Sequence, residues 1–153
     1  MIIEEIHKHF IKSSGICTDT RSINNNCLFF ALKGASFNGN TFANNAIKKG
    51  AYKVIIDEKE FQSDHSILVH DVLETLQELA TFHRNYLNIP IITLTGSNGK
   101  TTTKELINAV LSKKYKTVAT KGNLNNHIGV PLTLLAMNSN TEIGIVEMGA
   151  NHH

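Results

Sequence analysis

The sequence from residue 91 to residue 103 reads Ile91-Ile92-Thr93-Leu94-Thr95-Gly96-Ser97-Asn98-Gly99-Lys100-Thr101-Thr102-Thr103. Its first four residues are apolar or β-branched and indicate a buried strand, which leads into a tight loop framed by two glycines. Lys100-Thr101 then opens a helix that we predict to extend to about Leu111. A strand, a glycine loop and a helix in this order are typical of a loop that binds nucleotide phosphates, a P-loop.

The residue types of this loop suit phosphate chemistry. Glycines allow successive backbone N–H groups to turn inward around phosphate oxygens, and the helix N-terminus adds N–H donors and partial positive charge. Lys100 can neutralise terminal phosphates, and the hydroxyl of Thr101 can ligate Mg²⁺. The residues that we predict to bind the nucleotide are Gly96, Ser97, Asn98, Gly99, Lys100, Thr101 and Thr102.

One position departs from the general P-loop pattern. That pattern has a glycine five residues before Gly99, where this chain has Leu94. The alternative is a strand-to-helix turn whose glycines serve geometry alone, with Lys100 in solvent. The order of the surrounding elements favours phosphate binding over this alternative.

Helix and strand patterns alternate after the loop. We predict strands over 117–119 and 143–147 and a helix over about 130–137. This order implies a parallel sheet with right-handed crossovers, in which ligands bind beyond the carboxyl ends of the strands. The segments that should converge at that edge are 96–100, 120–126 and 147–151.

Polar residues at this edge carry the remaining chemistry. Glu147 is a lone acid at the end of an apolar strand, so it is either a Mg²⁺ ligand near Thr101 or a carboxylate held by backbone amides. Asn125 and Asn126 are either substrate contacts or residues that form a turn. Both pairs of interpretations stay open at the level of sequence.

The first half of the chain predicts a separate small α/β unit with its own core. A continuous apolar run at 27–32 indicates a buried strand, and Thr41 is placed to cap a short helix. The predicted helices are 2–11, 42–49 and 72–86, and the predicted strands are 16–18, 27–32, 52–56 and 67–69. Asn-Gly within Phe37-Asn38-Gly39-Asn40 indicates a turn.

Composition limits the class of protein. The 153 residues carry 15 basic and 13 acidic side chains, a net charge of +2, which excludes a strongly basic nucleic-acid binder. We find no apolar run near the ~20 residues of a membrane span, and the charged N-terminus does not resemble a signal peptide. Cys17 and Cys27 have neither zinc nor redox spacing, so we expect reduced thiols in a cytoplasmic protein.

The loop Gly96-x-x-Gly99-Lys100-Thr101 resembles that of the Mur ligase superfamily, which includes the folylpolyglutamate synthases. The segments 18–21, 28–34 and 37–40 are similar to the N-terminal uridine-binding domain of the later Mur ligases. The segments 120–131 and 147–152 resemble the member that adds D-Ala-D-Ala. These motifs keep the family order over almost the whole chain.

The resemblance implies a fold and a domain organisation. Residues 1–75 would be the domain that binds the UDP substrate, and residues 76–153 the first part of a P-loop parallel-sheet ATPase domain. The rest of that domain and the C-terminal domain would be absent, and the parent would be a monomer. We therefore expect no ligase activity from the chain alone, an expectation that detectable amide formation would overturn.

The resemblance also implies an activity. The family makes an amide bond with ATP and Mg²⁺, through an acyl phosphate, and the implied substrates are UDP-MurNAc-tripeptide and D-Ala-D-Ala. Lys100 and Glu147 would be catalytic, with Thr101 and Glu147 as metal ligands. The implied substrate-binding residues are Thr20, Arg21, Lys33, Gly34, Asn38, Asn125 and Asn126.

Several alternatives stay open. The chain could belong to another Mur-type ligase or a folylpolyglutamate-type synthase. The Asn125-Asn126 loop and the segment 147–152 argue against that assignment. A nucleotide-binding switch or kinase explains the glycine loop but leaves 29–40 without a role. A non-catalytic UDP-sugar-binding module is a third class. Asp19 and Arg21 either pair or cap a turn, or Arg21 lies near the UDP moiety, as the resemblance implies.

Overall fold

The computed structural model describes residues 2–149 and separates the chain into two compact units. The division falls between Leu79 and Ala80, within the helix Val72–Leu87, and the boundary predicted at residue 75 lies in the same helix. The last three residues of the motif that begins at Glu147, Ala150 to His152, lie outside the described residues. No helix within residues 2–149 is both long and apolar enough to cross a membrane.

The first unit is built on a four-stranded parallel sheet in the order β1-β2-β5-β6, with a separate two-stranded hairpin, β3-β4. Its strands are β1 (Ile16–Cys17), β2 (Leu28–Phe30), β3 (Lys33–Gly34), β4 (Phe37–Asn38), β5 (Lys53–Ile56) and β6 (Ser66–Leu68). Its helices are α1 (Ile2–Lys12), α2 (Ala43–Lys48) and the start of α3 (Val72–Leu87). Three 3-10 turns, Thr20–Ser22, Gly39–Phe42 and Lys59–Phe61, complete it.

The central strands of this sheet are buried on both faces. Phe29 and Val54 belong to a core cluster that includes both cysteines, whereas Phe30 and Ile55, whose side chains point to the opposite face, are also fully buried. Continuous apolar strands of this kind are expected in parallel sheets covered on both sides. The predicted buried strand is thereby confirmed, and the structure shortens it to β2.

One predicted cap is wrong. Helix α2 begins at Ala43 rather than at residue 42, and its N-cap position is occupied by Phe42 without a side-chain hydrogen bond. The hydroxyl of Thr41 instead donates to the carbonyl of Asn38 at 2.7 Å. The cause is the 3-10 turn Gly39–Phe42, which Asn38 caps and which takes Thr41 into its interior.

The second unit carries a three-stranded parallel sheet in the order β7-β9-β8. Its elements after α3 are β7 (Ile91–Leu94), α4 (Lys100–Leu111), β8 (Thr117–Ala119), α5 (Gly129–Leu135) and β9 (Ile143–Glu147). The register pairs Leu94 with Glu147 and Ala119 with Ile145. The predicted parallel sheet is confirmed, and its central strand, β9, ends between the loops that follow β7 and β8.

Candidate functional site

The glycine loop meets the backbone requirements of a phosphate-binding turn. Gly96 and Gly99 have φ angles of +148° and +76°, in the region that only glycine adopts readily. Gly99 occupies the N-cap position of α4, and the first helical hydrogen bond runs from the N–H of Thr103 to its carbonyl at 2.9 Å. The N–H groups of the first turn have no acceptor within a helix, so this end of α4 favours an anion.

The side chain of Lys100 bonds back to the start of its own loop. Its Nζ donates to the carbonyl of Gly96 at 2.6 Å, and the side chain is half-buried. The remaining predicted contacts, Ser97, Asn98, Thr101 and Thr102, are all exposed around it. A phosphate in the loop would offer the Lys100 ammonium group a charged acceptor in place of a carbonyl, which is the stronger interaction.

Glu147 and Thr101 lie in direct contact, as the parallel sheet predicts. The Thr101 hydroxyl is 3.2 Å from Oε1 and 3.1 Å from Oε2 of Glu147. The carboxylate is 1% exposed, and the end of β9 is fixed by a hydrogen bond from the N–H of Met148 to the carbonyl of Leu94 at 2.9 Å. The hydrogen bonds to this carboxylate in the described part of the chain come from side chains and not from backbone amides.

The two asparagines have different surroundings. Asn125 donates from Nδ2 to Oε1 of Glu147 at 2.7 Å, and its carbonyl accepts from the N–H of Gly149 at 2.7 Å. Asn126 accepts at Oδ1 from the N–H groups of Ile128 and Gly129, at 3.1 and 2.8 Å, in the turn that leads into α5. Asn125 therefore orients the acid, whereas Asn126 forms the turn.

Sequence reasoning assigned no role to two residues of this site, Lys104 and Thr120, although Thr120 opens the predicted segment 120–126. Lys104 is fully buried, and its Nζ donates to the carbonyls of Thr120 and Gly122 at 2.6 and 3.0 Å. The hydroxyl of Thr120 accepts the backbone N–H of Glu147 at 2.9 Å. The available signal was the spacing: Lys104 follows Lys100 by one helical turn, so both side chains lie near the same loop edge.

The donor set at Thr101 and Glu147 suits a small hard cation. Mg²⁺ takes oxygen ligands, and it is usually held by one or two carboxylates together with substrate phosphates and water. A hydroxyl and a carboxylate 3.1 Å apart beside the glycine loop would provide the protein part of such a shell. Within residues 2–149 there is no cluster of three or more His, Cys, Asp or Glu side chains that would supply a complete one.

In the first unit, Asp19 and Arg21 both pair and cap a turn. Asp19 Oδ1 accepts the N–H of Arg21 at 2.8 Å, which caps the turn Thr20–Ser22, and the guanidinium group binds the carboxylate through Nε and Nη2. These hydrogen bonds from Arg21 lower the pKa of Asp19 to about 2. The carbonyl of Thr20 accepts from Lys49 Nζ at 2.6 Å. The pairing and the cap are thus present in the structure, and the contact of Arg21 with a UDP moiety stays a prediction.

Lys33, Gly34 and Asn38 come together in the hairpin β3-β4. Lys33 Nζ is 2.9 Å from both Asp57 and Glu58, and these carboxylates raise the pKa of Lys33. Asn38 donates to Glu58 Oε2 at 2.8 Å, and the ring of Phe37 covers the Cα of Gly34. Because two carboxylates balance its charge, Lys33 would have to leave at least one of them to bind a phosphate.

Asp57 and Glu58 were not predicted, although their position carries a signal. They directly follow β5, at the carboxyl end of a buried parallel strand. Asn40 is also fully buried there, donating to Asp57 Oδ1 at 2.8 Å and accepting the N–H of Asp57 at 3.1 Å. The hairpin is thus attached to the end of β5 by a polar network.

The fold, together with the glycine loop and its contact between Thr101 and Glu147, defines the class of this chain. It is a P-loop α/β protein with an acidic residue at the end of the strand beside the loop. Residues 12–90 match the family described as "Mur ligase family, catalytic domain", and residues 94–153 match "Mur ligase middle domain". The chain belongs to the Mur ligase family.

Relatives and solved structures agree with this assignment. The chain is 47% identical over 138 residues to UDP-N-acetylmuramoyl-tripeptide–D-alanyl-D-alanine ligase of Bacillus subtilis, covering 88% of this chain and 30% of the relative. It is 39% identical to the Escherichia coli enzyme of the same name, over 93% of this chain and 31% of the relative. The chain spans about a third of the length of the curated relatives it matches.

Two MurF structures have the same fold over this region. A structure of MurF from Acinetobacter baumannii superposes with a TM-score of 0.81 at 35% identity, over 90% of this chain and 31% of that one. The MurF ligase of Thermotoga maritima, solved in complex with ADP, superposes with a TM-score of 0.82 at 32% identity, over 94% and 33%.

Proposed function

We propose that this chain forms the UDP-substrate-binding part and the nucleotide loop of an ATP-dependent ligase of peptidoglycan synthesis, which joins D-Ala-D-Ala to UDP-MurNAc-tripeptide. The observation that carries the proposal is the contact between Thr101 and Glu147 beside the glycine loop, with Asn125 bound to the acid. The names of the relatives at 38–47% identity support the choice of substrates. Cys17 and Cys27, both free thiols, suit the cytoplasm as the place of this reaction.

The proposed reaction has two steps. A carboxylate oxygen of the tripeptide attacks the γ-phosphorus of ATP, and the bond from that phosphorus to the β,γ-bridging oxygen breaks. The products are ADP and the acyl phosphate of the tripeptide. The amine of D-Ala-D-Ala then attacks the acyl carbon through a tetrahedral intermediate, which expels phosphate as the nitrogen loses a proton. The first step depends on positioning and charge neutralisation more than on covalent chemistry by the protein.

The first step uses the backbone at the start of α4 together with four side chains, those of Lys100, Thr101, Glu147 and Asn125. The backbone N–H groups at the start of α4 bind the phosphate oxygens, and Lys100 moves from the Gly96 carbonyl to the terminal phosphate. Thr101 and Glu147 would hold Mg²⁺, which neutralises charge on the phosphates when bound. Asn125 keeps the Glu147 carboxylate turned toward Thr101.

The first unit would bind the UDP moiety. We propose residues 1–75 as this domain and 76–153 as the first part of the ATPase domain. The proposed contacts with UDP are Thr20, Arg21, Lys33, Gly34 and Asn38. The proposed contacts with the substrate at the edge of the ATPase sheet are Asn125 and Asn126. Because Arg21 and Lys33 are paired with carboxylates here, binding would require them to exchange an intramolecular partner for the ligand.

Two alternatives remain as competing proposals. Another Mur-type or folylpolyglutamate-type ligase would use the same loop and acid with a different amine, and a UDP-sugar-binding module would use the first unit alone. The relatives whose names include D-alanyl-D-alanine favour the ligase that joins D-Ala-D-Ala over both of these alternatives.

Ligand-induced changes in melting temperature test the proposal. A ligand that binds only the folded state at 100 times its Kd adds about 2.7 kcal/mol of stability, which raises the Tm by several degrees. We expect UDP-MurNAc-tripeptide and Mg²⁺-ATP each to raise the Tm, with the free tripeptide and Mg²⁺-GTP as matched controls. A shift with GTP and none with the UDP substrate would contradict the ligase and favour a nucleotide switch.

A further inference from the structure

Lys104 is a charged side chain inside the second unit with no direct role in the mechanism above. It is fully buried, and four oxygen atoms surround its Nζ: the carbonyls of Thr120 and Gly122, Glu105 Oε1 at 3.0 Å and Glu147 Oε2 at 3.9 Å. An ammonium group has three N–H donors. The two carbonyls and Glu105 use all three donors. Glu147 therefore interacts with the Lys104 charge electrostatically, without a hydrogen bond from it.

The carbonyl partners of Lys104 belong to the loop that shapes the acidic site. Thr120 receives the backbone N–H of Glu147 on its hydroxyl, and the same loop continues to Asn125, which donates to the Glu147 carboxylate. Lys104 itself projects from α4, the helix that carries Thr101 in its first turn. One ammonium group thus connects the helix bearing Thr101 with the loop that orients Glu147.

Lys104 does not duplicate Lys100. Lys100 is half-buried at the glycine loop with its Nζ on the Gly96 carbonyl, where a phosphate can replace that partner. Lys104 has no exposed surface, and its hydrogen-bonded partners are loop carbonyls and a carboxylate. A lysine without exposed surface, held by two carbonyls of the neighbouring loop, serves to fix that loop against α4, since burying its charge without partners is strongly unfavourable.

We propose that Lys104 is a positioning residue of the metal–nucleotide site, which sets the separation of Thr101 and Glu147 through the loop after β8. This inference rests on the proposed function, because it assumes that Thr101 and Glu147 share Mg²⁺ with a nucleotide. Partners one shell beyond metal ligands typically contribute 10–100-fold to metal affinity. Lys104 therefore acts on the Mg²⁺-dependent part of nucleotide binding and leaves the contribution of the glycine loop unchanged.

The test is the gain in nucleotide affinity that Mg²⁺ provides. The Kd of β,γ-methylene-ATP is measured by calorimetry in Mg²⁺ and in EDTA for the wild-type chain, Lys104→Met and Glu105→Gln. We expect the Mg²⁺ gain to fall by about tenfold or more in Lys104→Met, with the Kd in EDTA unchanged within about twofold. Glu105→Gln is the matched control, since it removes only the exposed ion partner of Lys104 and should keep the full gain.

The outcomes separate this inference from the proposed function. If the wild-type chain binds no nucleotide, or binds it without a Mg²⁺ gain, the proposed function fails and this inference fails with it. If the wild-type gain persists in Lys104→Met, or both Kd values weaken equally, the positioning role alone is overturned. Far-UV circular dichroism shows whether Lys104→Met is folded. If it is not, Lys104→Gln, which retains an amide donor, takes its place. Loss of folding in both variants would reject the proposal in favour of a structural lysine.

Discussion

At the scale of single residues, the second unit contains two buried charges that a globular core would ordinarily exclude. Glu147 is 1% exposed and Lys104 is fully buried, and each has polar partners both on α4 and on the loop after β8. Buried charges require hydrogen bonds or a counter-charge, and their neighbours are correspondingly constrained. Departures of this kind from ordinary packing are typical of functional sites.

His83 is a buried titratable group away from that site. Its Nε2 lies 2.9 Å from the carbonyl of Met137, and the ring is 1% exposed. Burial lowers the pKa of His83 below its usual value of 6.5, and the hydrogen bond to Met137 opposes that shift in part. At pH values between the two pKa values, the unfolded chain therefore binds more protons at this residue than the folded chain.

The expected consequence is a stability that decreases with acidity. The contribution of neutral His83 is complete above pH 6.5 and is lost progressively as the pH falls toward the lower pKa of the folded state. Urea unfolding of the wild type and His83→Gln between pH 8 and pH 5 checks this, because glutamine keeps a donor but does not titrate. The wild type should lose more free energy of unfolding over this range than His83→Gln. His70→Gln, at an exposed position, should behave as the wild type, and equal pH slopes for all three proteins would contradict the prediction.

At the scale of elements, the site depends on the order β7-β9-β8. The strand that ends at Glu147 lies between the strands that lead into the glycine loop and into the loop of Asn125. A central strand is hydrogen-bonded on both sides, so its end is held in register with both neighbours. The sheet therefore places the acid beside Thr101, and the loop after β8 orients its carboxylate through Asn125.

The junction of the glycine loop with α4 offers a direct test at this scale. Gly99 has a φ of +76°, and a Cβ added there would meet no atom within 4 Å, so any penalty comes from the backbone alone. Gly99→Ala should lower the free energy of unfolding by about 1–2 kcal/mol, the cost of a left-handed conformation for an L-residue. Gly99→Asn should cost less, since asparagine tolerates this conformation. Urea unfolding measures both variants, and an Ala variant as stable as the wild type would show that the loop relaxes.

At the scale of the whole molecule, the two units carry different predicted ligands. The hairpin network around Lys33 belongs to the first unit, and the P-loop, Glu147 and Lys104 belong to the second. Each unit has its own parallel sheet. This separation predicts that one ligand can be abolished without loss of the other.

Lys100→Ala tests that separation. Loss of the ammonium group at the glycine loop should abolish the Tm shift with Mg²⁺-ATP and leave the shift with UDP-MurNAc-tripeptide within experimental error. Lys113→Ala, an exposed lysine just beyond α4, serves as the control and should keep both shifts. Equal loss of both shifts in Lys100→Ala would mean that Lys100 supports the structure of the chain rather than nucleotide binding.

Much of the fold follows from local patterns. The strand β7, the start of α4 at Lys100 and the end of β9 at Glu147 agree with the predicted positions, because hydrophobic runs and glycine breaks are local signals. The cap assigned to Thr41 is wrong, because a competing 3-10 turn begins two residues earlier. Short polar segments have several turn conformations of similar energy, so sequence alone does not choose among them.

The sequence by itself determined the glycine loop and a parallel sheet whose strand ends bring Thr101 and Glu147 to the same edge. These follow from backbone chemistry and from the rule that parallel strands end at one edge of a sheet. Only the tertiary structure decided that Lys104 is buried behind the acid and that Asn125 contacts Glu147 while Asn126 binds the turn before α5. It also decided that Asp57 and Glu58 neutralise Lys33. The physical reason is that charge pairing depends on distances between segments remote in sequence, which no local pattern encodes.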